Sequence, residues 1–270
     1  MTKLEKLKKI LSNMESVLFA YSGGVDSTLL LKMAKDTLGE RVLAVTADSL
    51  TYPSSEFKAA KEMTERLKVG HIIIKTKELS DPNFFYNPLN RCYWCKKELF
   101  SQLSTIAKKN GMNYILDGTN YDDRRDFRPG RRAAREFGVR SPLAEARLTK
   151  REIRQLSKEL DLSTWDKPAF ACLASRFPYG TKITRENLKK IDEAERFLCG
   201  LGIKGSLRVR HHGSIARIEV PKENLSKLLK LRDKIASKFK ELGYTYVTLD
   251  LEGYRTGSMN EPVRRRRNII

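Results

Sequence analysis

The chain is poor in cysteine, with four in 270 residues, and has only three histidines. Four thiols cannot staple so long a chain into a disulfide scaffold. They are expected to be thiols, metal ligands or core residues in a reducing compartment. No apolar run is long enough to span a bilayer, and the opening MTKLEKLKKI is too charged for a signal peptide. A cytoplasmic protein with no membrane partner is therefore expected. Acidic side chains are outnumbered, 33 Asp and Glu against 53 Lys and Arg, which gives a formal charge of +20. That imbalance favours anionic partners such as nucleotides, phosphorylated metabolites or nucleic acid, although a Lys-rich solvated surface accounts for many individual positions. Long repeats and low-complexity linkers are also absent. An apolar share of 40% is nonetheless enough for a packed core, which excludes a disordered chain.

Short β-type runs alternate with helical patterns through the first half, the signature of a parallel sheet wrapped by helices. The runs are Val17–Tyr21, Val42–Ala47, His71–Thr76, Tyr114–Asp117 and a short piece before Ser141. Between them, segments such as SSEFKAAKEMTERLKVG carry helical periodicity and end near Gly. Thr149, with Glu152 three residues on, reads as the cap of a further helix. From about Pro168 the order changes to helix, strand, strand, helix, strand. The expected fold class is therefore α/β, with a domain over residues 1–170 and a smaller α+β domain over 171–270. The long amphipathic stretch PKENLSKLLKLRDKIASKFKELG reads as one helix opened by Pro221. The tail Arg264–Arg267 reads as a solvated end.

Residues 17–31 read VLFAYSGGVDSTLLL, an apolar strand interrupted by SGGVDS just before a helix. Glycines let the backbone approach a phosphate closely, and N–H groups at a helix start point toward it. The stretch lacks the Gly-Lys-Ser/Thr ending of a Walker A loop and does not fit G-x-G-x-x-G. Ser22, Gly23, Gly24, Asp26 and Ser27 after the first strand resemble the PP-loop of the ATP pyrophosphatases, which split ATP between the α and β phosphates. The resemblance implies ATP as cofactor, with the loop around the leaving pyrophosphate and Asp26 helping to hold Mg²⁺. A plain Gly-rich turn is the bland alternative.

DGTNYDDRRDFRPG, residues 117–130, places Asp122, Asp123 and Asp126 beside Arg124, Arg125 and Arg128 at a strand end. Such a mixture suits metal–triphosphate and substrate-anion binding, though an exposed charged turn has the same composition. WDKPAFACLASRFPYG, residues 165–180, puts Cys172 in a Pro-bounded loop where a nucleophile could sit. Together with SPL at Ser141–Leu143 and the later RVRHHG…ARIEV, these stretches resemble the ATP-dependent sacrificial sulfur transferases, the LarE family of nickel-pincer nucleotide cofactor biosynthesis. The resemblance covers nearly the whole chain. It implies that ATP adenylates a carboxylate of a pyridinium biscarboxylic acid mononucleotide, and that sulfur then replaces oxygen to leave a thiocarboxylate. It also implies release of AMP and pyrophosphate, a sulfur-donating Cys172, a homo-oligomer, and Arg208 and Arg210 gripping phosphate. Read from the strand alone, the two arginines share one face, as a phosphate clamp requires and as a solvated face would also show.

In the sacrificial version Cys172 attacks the acyl-adenylate, and elimination leaves dehydroalanine, so each chain gives one sulfur. RCYWCKK adds Cys92 and Cys95 at Cys-x-x-Cys spacing at a helix start, where the dipole favours thiolates. Cys92, Cys95 and Cys172 could hold a 4Fe-4S cluster whose open iron binds a further sulfide. That arrangement resembles cluster-dependent relatives among the sulfur-inserting PP-loop enzymes. A redox dithiol, or a zinc site shared with Cys172 and Cys199, stays open. Cys199, near the end of an amphipathic helix, reads as core. His211 and His212 are adjacent on a strand and face opposite ways, which disfavours a shared ion. Glu56 reads as a helix starter, and Ala47–Ser55 as the seat of an adenine. Tyr93 and Trp94 are core residues, or else shield a cluster or stack on the pyridinium. A tRNA-thiolating enzyme, an amidating synthetase of the NAD-synthetase type and a non-catalytic ATP sensor remain as rivals. Nucleic acid is the less favoured partner, because no RNA-binding module is recognisable. Nothing in the sequence indicates the sulfide source.

Overall fold

A computed structural model describes residues 1–125, 129–168 and 171–261. Asp126, Arg128 and the Arg264–Arg267 tail lie outside these residues. The chain divides into two units: Met1–Phe84 with Leu89–Lys167, and Phe85–Pro88 with Pro168–Ile270.

The first unit is built on four strands, β1 (Val17–Ala20), β2 (Val42–Asp48), β3 (Gly70–Lys75) and β4 (Tyr114–Leu116), all parallel in the order β3-β2-β1-β4. The expected piece before Ser141 adds a single bridge, Leu116 to Arg140. Helices α1 (Lys3–Ser12), α2 (Val25–Leu38) and α3 (Ser54–Arg66) precede α4 (Pro82–Phe85), a single turn where the chain leaves this unit. Then come α5 (Arg91–Lys109), α6 (Gly130–Glu136), α7 (Pro142–Glu145) and α8 (Lys150–Glu159). Strand residues alternate between two cores, as buried parallel strands must. Val17 and Phe19 join Leu7, Leu11, Leu29, Leu30 and Ile153 on one face. Leu18 and Val45 join Phe100, Leu103 and Ile115 on the other. Each fully buried side chain of this size contributes about 1.5–3 kcal/mol. Capping boxes open two of the helices: Thr2 with Glu5 on α1, and the expected Thr149 with Glu152 on α8.

The chain steps outward from β1 to β2 to β3, then returns past β1 to β4. The direction of winding thus reverses between β1 and β4. The crevice beyond the carboxyl ends of two such strands is where open α/β sheets place ligands.

In the second unit, α9 (Arg185–Gly200) precedes an antiparallel hairpin of β5 (Arg208–His212) and β6 (Ile215–Glu219), and β7 (Tyr246–Leu249) adds parallel to β6. The stretch expected as one helix is two, α10 (Leu225–Lys230) and α11 (Arg232–Glu241). They part at Leu231, whose backbone at φ −100° and ψ 10° has left the helical region. Leu228, Ile235 and Phe239 from the two pieces all reach one core with Val209, Ala216 and Ile218. Neither Gly nor Pro marks the break, so no sequence signal announces it. Phe85–Pro88 belongs to this unit through Asn87, whose Nδ2 donates to the Pro178 carbonyl (2.7 Å) and whose carbonyl accepts from Gly180 N–H (3.0 Å). Asn87 adopts φ 55°, a left-handed conformation that Asn tolerates better than most residues.

Candidate functional site

The loop after β1 lies at the switch point. Gly24 is the N-cap of α2 and offers no side chain to cap it, which leaves the first-turn N–H groups to be satisfied by an anion or water. Gly23 turns the chain at φ 61°, and a Cβ there would come within 3.1 Å of Ala60 Cβ. Ser22 Oγ donates to Ser27 Oγ (3.2 Å), and Ser27 Oγ donates to the Gly24 carbonyl (2.9 Å). Tyr52 Oη donates to the Ser22 carbonyl. Burial, with the nearby Glu56 carboxylate, pushes the Tyr52 phenol upward, so it stays a donor. Burial likewise pushes Tyr21 up to about 12, and its hydroxyl meets Thr28 Oγ1 at 3.1 Å.

The loop after β4 is stitched to this turn. Gly118 approaches so closely that a Cβ would lie 3.2 Å from Ser27 N. Asn120 Nδ2 reaches Asp26 Oδ2 (3.4 Å), which also pairs with Lys150 Nζ at 2.6 Å. Asp26 Oδ1 is buried and has no hydrogen-bond partner. A leftover anionic oxygen beside a phosphate-binding helix start fits Mg²⁺, which takes one or two carboxylates and completes its shell with phosphate oxygens and water. Asp122 and Asp123 each hold a backbone N–H. Asp122 Oδ2 accepts from Lys150 N–H at the start of α8 (2.8 Å), and Asp123 Oδ2 accepts from Asn120 N–H within the loop (3.1 Å).

Lys150 and Lys167 were not singled out by sequence. Lys167 Nζ bridges Glu56 Oε2 (2.8 Å) and the Gly23 carbonyl (3.2 Å), which sets a cation against the loop. Glu56 is thus a buried partner of Lys167 as well as a first-turn residue of α3. The pairing joins residues 111 positions apart (167 minus 56), which neither periodicity nor a local motif reports.

Beside the loop is a cavity of about 140 Å³ at the carboxyl ends of β1, β2 and β3. Ser22, Ala47, Ser49 and Thr51 line it, within or beside the expected adenine segment, and so does Cys95. Cys92 and Cys95 sit within the first five residues of α5, three residues apart and so on one side of the helix. Tyr93 is buried and packs edge-on against Trp94, the core role left open above.

Cys172 belongs to the second unit, so the expected cysteine trio is divided between the two units. Among the described residues no group of three or more His, Cys, Asp or Glu side chains is gathered to hold a metal ion. All four cysteines are thiols, and Cys199 is exposed rather than in the core. Cys172 caps the 3-10 turn Leu173–Arg176. Arg176, with no exposed surface, forks onto Glu195 through two bonds (2.9 and 2.8 Å) and donates to the carbonyls of Ala171 (2.6 Å) and Cys172 (3.2 Å). Nothing local in CLASR sets this arginine apart from a surface one.

Arg208 and Arg210 are buried, not spread on a solvated face. Arg210 donates to Glu219 Oε2 (2.6 Å), Ser258 Oγ (3.1 Å) and the Ser175 carbonyl (3.1 Å), so it braces the Cys172 turn from the other side. Its Nε is buried and makes no hydrogen bond. Arg208 lies over the Tyr254 ring and donates to the Leu207 carbonyl (2.6 Å). His211 and His212 are separated as expected, His211 buried against Tyr244 and Phe177, and His212 exposed.

The asparagine synthase family model matches residues 8–108, the stretch that carries the phosphate loop and all but the last residue of α5. An uncharacterised protein of Synechocystis is 45% identical over 96% of this chain and 97% of its own length. The pyridinium-3,5-bisthiocarboxylic acid mononucleotide synthase of Lactiplantibacillus plantarum is 41% identical over 96% of this chain and 94% of its own. An uncharacterised protein of Methanocaldococcus jannaschii is 33% identical over 95% of this chain and all of its own.

Proposed function

The chain belongs to the pyridinium-3,5-bisthiocarboxylic acid mononucleotide synthases, the LarE family of ATP-dependent sulfur transferases, and on that premise we propose how its residues divide the reaction. A carboxylate of the pyridinium biscarboxylic acid mononucleotide attacks the α-phosphorus of ATP. Pyrophosphate leaves and an acyl-adenylate forms. Ser22, Gly23, Gly24 and Ser27 hold the leaving pyrophosphate through backbone N–H groups and hydroxyls. Asp26 would hold Mg²⁺, and its orphaned Oδ1 is the observation that carries this assignment. When bound, the ion offsets charge on the phosphate oxygens. Lys150 and Lys167 add cations at the same turn.

Sulfur then replaces AMP. Cys172 is the residue we assign to this step, on a turn whose carbonyls Arg176 and Arg210 fix. In the single-use course its thiolate attacks the acyl carbon and AMP leaves. Loss of the Cα proton with cleavage of Cβ–Sγ then gives the thiocarboxylate and dehydroalanine. The Cys-x-x-Cys pair supports a second course, in which Cys92, Cys95 and Cys172 hold a 4Fe-4S cluster that would supply a sulfide without consuming the protein. The second unit, 171–270 in the sequence reading, serves the mononucleotide and self-association. The unpartnered Nε of Arg210 supports phosphate contact there, and the exposed Leu229, Tyr246 and Leu251 support a homo-oligomer. The protein acts in the cytoplasm, where its thiols stay reduced.

Iron and acid-labile sulfide per chain, measured on protein purified without oxygen, separate the two courses. About four of each, lost in Cys92→Ser, support the cluster. No iron, with Cys172 converted to dehydroalanine after ATP and substrate, supports single use. An unchanged Cys172, no iron and undiminished turnover in Cys172→Ala would refute both.

A further inference from the structure

The phosphate loop has two sides, and a ligand accounts for only one of them. Among the described residues, the N–H groups of Ser22, Gly23, Gly24 and Val25 make no hydrogen bond, as in a nest that receives an anion. The carbonyls behind them are all taken. The Tyr21 carbonyl accepts from Thr46 Oγ1 (3.1 Å), the Ser22 carbonyl from Tyr52 Oη, and the Gly23 carbonyl from Lys167 Nζ (3.2 Å). The Gly24 carbonyl accepts from Ser27 Oγ (2.9 Å) and from Thr28 N–H (2.9 Å). The first three donors come from outside the loop: from β2, from the turn before α3 and from the last residue of the first unit.

A trans peptide points its C=O and its N–H in opposite directions. A donor on the carbonyl of one residue therefore aims the N–H of the next. Tyr52 aims the Gly23 N–H, and Lys167 aims the Gly24 N–H. Thr46 does the same for Ser22, but there the strand already helps, because Tyr21 N–H bonds to the Val45 carbonyl (2.9 Å). The glycines have no such support. With Gly23 at φ 61° and no Cβ on either residue, the peptide between them is free to turn over. Turned over, it would present an oxygen where the phosphate needs a donor. A donor on the carbonyl also polarises the peptide and strengthens its N–H, and a charged donor does so most. Glu56, 2.8 Å from Lys167 Nζ, keeps that ammonium on its carbonyl. We propose that Tyr52 and Lys167 are positioning residues, which set the Ser22–Gly23 and Gly23–Gly24 peptides from behind and so preorganise the nest without touching the nucleotide. This deepens the reading of the loop as the pyrophosphate site, and rests on it.

The test is titration of the full chain, carrying isotope-labelled glycine, with Mg²⁺–pyrophosphate, for the wild type, Tyr52→Phe and Lys167→Met. Gly23 and Gly24 report on their own amides. In the wild type both amide signals should move on binding. Tyr52→Phe should weaken pyrophosphate about fivefold, the worth of one neutral hydrogen bond, and Lys167→Met about tenfold or more. The signature is positional: the Gly23 response should fall most in Tyr52→Phe, and the Gly24 response in Lys167→Met. If Lys167→Met fails to fold because Glu56 is left buried and unpaired, the double change Lys167→Met with Glu56→Gln carries the test. Unchanged affinity in both variants would overturn the proposal. So would an equal loss of response at both glycines in each variant, as a merely structural role or a direct contact of Lys167 with phosphate would give. Absence of any pyrophosphate binding by the wild type would instead overturn the phosphate site itself, and this inference with it.

Discussion

Replacing Arg176 by Met tests whether the Cys172 turn depends on one buried cation. In the wild type the guanidinium, wholly out of solvent, makes two bonds to Glu195 and holds the carbonyls of Ala171 and Cys172. Met fills much of the volume but leaves the Glu195 carboxylate buried beside the Val209 N–H alone (2.9 Å). Breaking a buried pair from one side costs about 3–5 kcal/mol. At about 1.4 kcal/mol per decade, protection of β5 amides should fall by between roughly two and four decades. Hydrogen exchange read peptide by peptide is the suitable assay. Both tryptophans, Trp94 and Trp165, belong to the first unit, so their fluorescence would not report the event. Alkylation of Cys172 should accelerate in the same variant. The double change Arg176→Met with Glu195→Leu should recover most of the protection, because apolar replacement of a whole buried pair is often neutral. A loss below about one decade in the single variant, or an equal loss in α2, would refute the reasoning.

Asp26→Asn should lower Mg²⁺-dependent pyrophosphate release about a hundredfold or more while leaving exchange protection of α2 intact, and release within threefold of wild type would remove Asp26 from the metal site. Glu152 is held down to about 2, first by Lys3 (2.7 Å) and then by the Thr149 donors. A depressed carboxyl stabilises the fold above its unfolded value and loses that contribution as pH falls toward the folded one. Because the pair is partly exposed, the contribution should stay below about 1 kcal/mol. Wild type and Glu152→Gln should therefore differ slightly in stability at pH 6 and converge at pH 2, and a gap that widens with acid would contradict this.

Where function leaves a local pattern, the sequence was readable. SGGVDS needs a turn, a close approach and a helix start within six residues, and all three are present at the switch point. The Thr149 cap and the α9–β5–β6 order were legible for the same reason, since their signals lie within a few residues of one another. Long-range pairings leave no such trace. Lys167 meets Glu56, Lys150 meets Asp26 and Arg176 meets Glu195 only once the chain has folded, so these lysines and this arginine looked like ordinary surface charge in a chain of +20. Nor does composition announce that one carboxylate oxygen of Asp122 and one of Asp123 accept from backbone N–H groups.

The four residues Phe85–Pro88 set a timetable for synthesis. Asn87 leaves the ribosome about 90 residues before the carbonyls of Phe177 and Pro178 that receive its side chain. At about 5–20 residues per second this is a wait of roughly 5 to 18 s. During that time the first unit can already close around its own sheet, with a short loop held ready for strands not yet made. The C-terminal unit consequently has no contiguous gene fragment of its own. A piece begun at Pro168 would lack Asn87, and its Phe177–Gly180 turn would have to find water instead.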